Sequence, residues 1–516
     1  MRPSSLFLLR RAPLLAAIAV TLTNVGCGGP GRTPPPSNAG GGGGGGDASI
    51  DEAGVVGDPI EAGAVGPMVT VTINPAIHHQ TLVGFGAGAV YYTSYLSDRR
   101  IGGDDIYNVL FTDLGLDMLR IANWYQTQSV SGTTPATPFT DTAMVNVVTK
   151  ATAAMGHPPL LLMSSWSPPA YLKNTGVTKP SMPCDAGTCQ GTLVRDASGA
   201  YAYGDFANWW VESLAAYAQH GVVPDYMSIQ NEPDFFTNSW ETCRFDAAEG
   251  TNAGYGRALD AVYGAVTAST LASKPLFIGP EASGIRGNRV PGYVASATTP
   301  TQLSAVAHHL YNGGGTGVNP APDSFNAAMT AIATSAGAAG KPIFMTEYSP
   351  PSPAMFETAW LIHNALTVEG VSAYLYWELF WAAPTSGVSA SLVVLDNPSS
   401  LTTPKGYTIN DTYYALKHFA KWTDPGHVRI DASSPDAALK VSAFLAPDES
   451  SVTLIVLNTD AAASRQLALD ASAYAFSSEA VYRTSGASER AASITLAGDG
   501  TVDMPPRSIV TITLTR

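Results

Sequence analysis

The chain has 516 residues, enough for a barrel-sized domain and a smaller one. Only 13% of them are charged, against about 25% in an average soluble protein, and with 50 Gly and 37 Pro this describes an exported, loop-rich surface of Ser, Thr, Asn and Gly. A formal net charge of -14 excludes a nucleic-acid partner, because no basic stripe is available to neutralise phosphates, and it favours neutral polymers over polyanions as substrates.

Residues 1–27 read as an export signal. Arg2, Arg10 and Arg11 precede an apolar run over 13–22, too short to span a membrane with these flanks, and small residues lead to Gly26-Cys27. Asn24-Val25-Gly26-Cys27 loosely resembles a bacterial lipobox, with Asn24 where an aliphatic residue is usual. Cys27 is therefore a lipidation candidate, and plain secretion and a cell-surface lipid anchor both stay open. Residues 28–66, with three consecutive prolines and the glycine run 40–46, cannot bury enough apolar surface to offset their ordering entropy and read as a flexible tether. Cys184 and Cys189 sit close together in a Gly/Pro-rich loop and form a candidate disulfide after export, with Cys243 left over. His does not cluster with Cys at metal-ligand spacing, so no zinc and no cofactor is expected.

A strand over 68–73 alternates as a half-exposed element. Residues 81–423 then repeat apolar strand-like runs separated by stretches of helical length: the run ending in glycines at 84–88, then 118–121, 160–164, 226–230, 276–279, 305–310, 343–346 and 373–377. Continuous apolar runs separated by helices predict a parallel sheet covered on both faces, and eight such units predict a (β/α)8 TIM barrel of the α/β class. The glycine run is a weak nucleotide-loop signal, because no dinucleotide-type helix and acidic partner follow at the right distance. From about 424 to 516 the pattern changes to short alternating strands with turn signals, an accessory β-sandwich. A monomer is expected.

Polar residues concentrate at the C-terminal ends of the barrel strands, the face that holds the active site in this architecture. Arg120 and then Asn123-Trp124 end strand two, and Trp166 follows strand three. Asn231 and Glu232 end strand four, His309 and Tyr311 strand six, Glu347 strand seven, and Trp377 and Glu378 strand eight. Two carboxylates at the ends of strands four and seven point to glycoside hydrolysis, in which one protonated acid serves the leaving oxygen and an ionised one lies across the anomeric carbon. Asn231 is expected to donate to the sugar 2-hydroxyl, Tyr311 to hydrogen-bond the attacking carboxylate, and Trp166 and Trp377 to offer faces to sugar rings. Arg120, Trp124, His309 and Glu378 complete the expected substrate-binding set.

Ser165-Trp166-Ser167-Pro168-Pro169-Ala170-Tyr171-Leu172-Lys173, Ser228-Ile229-Gln230-Asn231-Glu232-Pro233, His309-Leu310-Tyr311 and Phe344-Met345-Thr346-Glu347 resemble glycoside hydrolase family 30. The resemblance implies a retaining clan A barrel with Glu232 as acid/base and Glu347 as nucleophile. It also implies a side domain built from both ends of the catalytic region, with the strand at 67–80 belonging to it. The stretches 413–420 and 425–429 look most like the bacterial xylanase branch. Members specific for glucuronoxylan carry an Arg just after strand eight, whereas here Glu378-Leu379-Phe380-Trp381-Ala382-Ala383-Pro384 stands there and no Lys or Arg follows until Lys405. The implied activity is an endo-β-1,4-xylanase that does not require glucuronate side groups. Alternatives within the family are glucuronoxylanase, xylobiohydrolase, β-1,6-glucanase and β-glucosylceramidase-like activity. A glycan-binding surface lipoprotein without catalysis is the alternative of another class.

Overall fold

The structure is a computed structural model, described here for residues 66–98, 100–103, 105–125, 139–180, 191–296, 300–314, 320–350, 354–383, 390–486 and 489–516. The export signal, the tether, Cys27, Cys184 and Cys189 lie outside the described residues.

Eight strands close into a barrel in sequential order: Gly84–Gly88, Met118–Ala122, Leu160–Ser164, Tyr226–Ser228, Leu276–Ala282, Leu303–His309, Ile343–Glu347 and Ala373–Tyr376. Every neighbouring pair is parallel. Helices such as Thr142–Met155, Tyr203–Gln219 and Tyr255–Ala268 cover the outside, and their buried faces repeat at helical spacing, as with Leu259, Val262 and Val266. The first barrel strand is the glycine run itself. A Cβ on Gly88 would stand 2.9 Å from the Trp377 ring, so only glycine lets strand one pass under that tryptophan.

Inside the barrel the period-two alternation of strands sorts apolar from polar residues by height. Met118, Leu162, Ile278, Ala307 and Phe344 form an apolar plug. Two residues further along their strands come Arg120, Ser164 and His309, all buried. The barrel therefore holds a packed lower core and a polar upper layer at the C-terminal ends of its strands.

The second domain is a nine-stranded sheet. Its strand order is Glu489–Ile494, Ser478–Ser485, Ile509–Thr515, Ser451–Asn458, Leu439–Leu445, Val428–Ser433, Met68–Thr81, Arg465–Asp470 and Val502–Met504. It encloses one apolar core containing Val71, Val481 and Val502, which belong to strands far apart in that order, so the sheet curls over itself as a β-sandwich does. The long strand Met68–Thr81 pairs antiparallel with Val428–Ser433 and parallel with Arg465–Asp470, which sews the segment before the barrel to the segment after it. This strand runs on to Thr81, opposite Val428, so Thr81 belongs to the side sheet and the barrel strand starts at Gly84. Phe444, Ile455, Leu457 and Ile509 join the barrel's own core, and His418 is held between the hydroxyls of Thr511 and Thr484 at 2.8 and 2.7 Å. Among the described residues no helix is long and apolar enough to cross a membrane.

Candidate active site

Arg120 anchors the polar layer. It is wholly buried, and its donors run outward to three acceptors: Nη1 to Glu347 Oε2 at 2.6 Å, Nε to Glu281 Oε1 at 3.1 Å, and Nη2 to Asn231 Oδ1 at 2.6 Å. Its guanidinium carbon lies 4.7 Å from the Trp166 ring centroid. A buried cation needs this degree of pairing, and the planar fork of Arg spreads its donors over three separate nitrogens, where the donors of Lys radiate from one.

Glu232 stands on the sharp turn after strand four with a left-handed φ of 46°. The turn is held from both sides, by Asn231 N–H to Ser165 O at 2.7 Å and by Glu232 N–H to Glu281 O at 3.0 Å. Two residues on, Asp234 accepts from Ser283 N–H at 2.8 Å, from Ser283 Oγ at 2.9 Å and from Arg289 Nη1 at 2.7 Å, which ties the same turn to the loop after strand five. An oxygen of Glu232, one of Glu347 and a ring nitrogen of His309 all lie within 4.8 Å of one another. Those three atoms could face a metal ion, but the fixed charge of Arg120, 2.6 Å from Glu347, opposes a second cation there.

The two carboxyls differ in their surroundings. Burial, and then the charge of Glu347, push the Glu232 carboxyl well above its ordinary range. Burial also raises Glu347, but Arg120 and the hydroxyl of Tyr311, which donates to Glu347 Oε1 at 2.9 Å, oppose that rise. Tyr311 keeps its proton, because burial and the charges of Glu347 and Glu232 hold its hydroxyl well above the phenol range, although the residue as a whole is 42% exposed.

His309 is held well below its ordinary value by burial and by Arg120, so it is neutral. Arg120 Nη2 approaches its Nε2 at 3.5 Å and can only donate, which leaves the ring proton on Nδ1. Nδ1–H then donates to Glu232 Oε1 at 3.1 Å, and Oε2 is left to carry the acid proton.

The sequence-predicted residues converge on this one face, but not all in the expected role. Arg120 and His309 were expected to touch substrate. Both are wholly buried and hydrogen-bonded to the two carboxyls, so they lie behind Glu232 and Glu347 rather than facing a ligand. Glu378 is also turned inward: its Oε1 accepts from Val90 N–H at 2.6 Å and Tyr91 N–H at 3.3 Å, and burial pushes it well above the carboxylate range. Asn231 uses its oxygen on Arg120, which leaves the amide nitrogen as the donor for a sugar.

The tryptophans form one wall. Trp166 packs on Trp377 at 5.9 Å and on Trp124 at 6.2 Å, and Trp377 on Trp381 at 6.4 Å, with Tyr91 and Tyr92 meeting Trp381 edge-on at 5.7 and 5.0 Å. Trp124, Trp377 and Trp381 are half-buried, so part of each ring is left for a ligand, whereas Trp166, expected to offer a face to sugar, is buried among Arg120, Trp124 and Trp377.

Glu281 was missed. It is wholly buried, at φ 57°, two residues past the predicted end of strand five. The signal available was that strand five alone among strands two to eight had no polar residue assigned to its end. Cys243 is buried among the described residues, and burial pushes its thiol up to about 12, so it is inert at neutral pH.

Comparison with known proteins bears on both domains. Residues 426–512 match the glycosyl hydrolase family 30 beta sandwich domain. The endo-1,6-beta-D-glucanase neg1 of Aspergillus fumigatus is 25% identical over 439 residues, covering 76% of this chain and 81% of its own. The glucuronoxylanase XynC of Bacillus subtilis is 24% identical over 417 residues, covering 75% and 78%. The glycoside hydrolase family 30 subfamily 8 xylanase Xyn30A of Clostridium acetobutylicum shares the fold with a TM-score of 0.62 at 22% identity, over 87% of this chain and 100% of that one. Residues 426–512 thus carry the family 30 sandwich domain, and the barrel shares its fold with a family 30 xylanase, so the chain as a whole is similar to glycoside hydrolases of that family.

Proposed function

We propose that this glycosidase is a retaining endo-β-1,4-xylanase that does not require glucuronate substituents. The retaining course rests on one observation, the approach of Glu232 and Glu347 oxygens within 4.8 Å. That closeness suits direct attack, for which carboxyls stand about 5–5.5 Å apart, rather than the roughly 6.5–9.5 Å that leaves room for a water. Glu347, whose charge Arg120 and Tyr311 stabilise against burial, attacks the anomeric carbon. As the glycosidic C–O bond breaks, Glu232 gives its proton to the leaving oxygen, and a covalent glycosyl–enzyme ester forms. Glu232, now a carboxylate, takes a proton from water as that water attacks the ester, and Glu347 is released. Asn231, its oxygen held by Arg120, donates from Nδ2 to the 2-hydroxyl in this reading.

The substrate assignment rests on the segment after strand eight. Phe380–Ala382 forms a short strand, and Trp381 joins the aromatic wall where a glucuronate-binding branch would present Arg. An apolar ring there suits a neutral sugar and supplies no charge for a carboxylate. The likeness to a fungal β-1,6-glucanase supports a second reading, cleavage of β-1,6-glucan by the same acid pair. Incubation with linear xylan, glucuronoxylan and β-1,6-glucan in parallel separates the two. Mixed xylo-oligosaccharides from both xylans at similar rates support the first, and products from the glucan alone support the second. Export, lipidation at Cys27 and a Cys184–Cys189 bridge remain part of the proposal. The mass of the mature N-terminus from a bacterial host checks the first two, and a non-reducing peptide map the third.

A further inference from the structure

The buried charges leave one carboxylate that the proposed chemistry does not use. Glu281 touches one half of the acid pair and is linked to the other through Arg120: its backbone carbonyl accepts the Glu232 N–H at 3.0 Å, and its Oε1 shares the Arg120 guanidinium with Glu347. Its Oε2 is buried with no hydrogen-bond partner among the described residues, so Arg120 is its one charged partner there. Two carboxylates on separate nitrogens of one guanidinium divide a single positive charge in a site with little water to screen it.

We propose that Glu281 is a positioning residue that divides the charge of Arg120, so that Glu347 stays reactive and Glu232 stays protonated. The proposal rests on the nucleophile and acid/base roles assigned above. With Glu281 neutral, Glu347 would face the full charge of Arg120 alone, becoming a more stable and weaker nucleophile, and Glu232 would lose its proton more readily.

The groups facing Glu281 are Arg120 from strand two, Glu232 from the end of strand four, Glu347 from strand seven and Tyr255 from the helix after strand four. Those facing Glu347 are Arg120, Tyr311, Glu281, His309 at 3.8 Å and Glu378. Glu232 faces Glu347, Asp234, Arg120 and Glu281, with His309 and Tyr311 beside it. Among these, Glu281 is the non-reacting carboxylate that shares the Arg120 guanidinium with Glu347.

The test uses the full chain and two probes, the 2,4-dinitrophenyl 2-deoxy-2-fluoro-β-glycosides of xylobiose and gentiobiose. Their leaving group departs without acid help, so the rate of covalent labelling, followed by intact mass across pH, reads the nucleophile alone. Glu281→Gln is expected to label about tenfold more slowly at mid-range pH, with the acid limb of the labelling profile moved down by about one pH unit. A Gln variant that keeps the wild-type circular dichroism and labels at the wild-type rate, with the limb unmoved, overturns the proposal. Should that variant fail to fold, Glu281→Asp carries the test. Its charge, drawn back by one methylene, moves the limb the same way by less, and an unmoved limb is again the contrary result. Wild-type label found on a residue other than Glu347 overturns the nucleophile assignment and this proposal with it, an outcome distinct from labelled Glu347 with no effect of Glu281.

Discussion

Arg120 Nη1 stands 2.6 Å from Glu347 Oε2, and the remaining reach of the same guanidinium is taken by Glu281 and Asn231. The residue expected to bind sugar thus instead fixes the carboxylate expected to attack it, from beneath the cleft. Because the fork makes three directed bonds at once, Arg120→Lys keeps the charge and loses the geometry. The expected result is a fall in kcat/KM of about a hundredfold or more, with a lowered Tm. Steady-state kinetics with thermal unfolding of the same preparation check it, and a Lys variant within threefold of wild type would contradict the role.

Glu232 holds its proton in the folded chain to a higher pH than an unfolded Glu does. Its contribution to stability is therefore present in full below the unfolded value of about 4.3 and is lost as pH rises through the folded value. Glu232→Gln mimics the protonated form at every pH. Its Tm is expected to exceed that of wild type by about 1–3 °C at neutral pH and to converge with it near pH 4. Calorimetry at several pH values checks this. The same variant should lose activity on polysaccharide by about a hundredfold to ten-thousandfold.

Activity should follow a bell in pH. It is lost on the acid side as Glu347 takes a proton and on the basic side as Glu232 gives one up, and the pair titrates as a unit. In Glu232→Gln the basic limb should vanish with an activated aryl glycoside while the acid limb stays. A basic limb that persists unchanged in the variant would assign it to another group.

Glu378 caps the amides of Val90 and Tyr91 beneath the aromatic wall. Glu378→Gln retains an acceptor oxygen and is expected to cost little. Glu378→Ala orphans two amides and should destabilise the fold by about 1–3 kcal/mol, loosening Tyr91 against Trp124 and Trp377. Denaturant titration of both variants checks the difference.

Trp381 lies in the segment after strand eight, where the proposed substrate reading sets an apolar ring in place of a glucuronate-binding cation. Trp381→Ala should raise KM for linear xylan by about threefold to tenfold through loss of a stacking face. Trp381→Arg should favour glucuronoxylan over linear xylan, since one charge-assisted contact contributes roughly 1.5–3 kcal/mol. Equal use of both polymers by the Arg variant would show that the position does not set this preference.

The barrel was legible in the sequence because its strands are buried on both faces and read as continuous apolar runs, and because Glu232 and Glu347 each end such a run. The roles of Arg120 and His309 were not, because a strand-end cation or imidazole looks the same in sequence whether it faces sugar or sits behind an acid. Burial and donor direction decide that, and both depend on neighbouring strands distant in sequence. Glu281 escaped because the apolar run of strand five was closed at Gly279, while the strand continues through Pro280 to Ala282. Thr81 was placed in the barrel for a similar reason: local pattern does not reveal that its partner is Val428 in the other domain.

The most direct test of the two-carboxylate account is the anomeric configuration of the first product, followed by proton NMR during cleavage of whichever polymer the enzyme accepts. The close pair Glu232 and Glu347 predicts that the β-anomer appears first and mutarotates to the α-anomer afterwards. Initial appearance of the α-anomer would mean a single displacement by water and would contradict Glu347 as nucleophile.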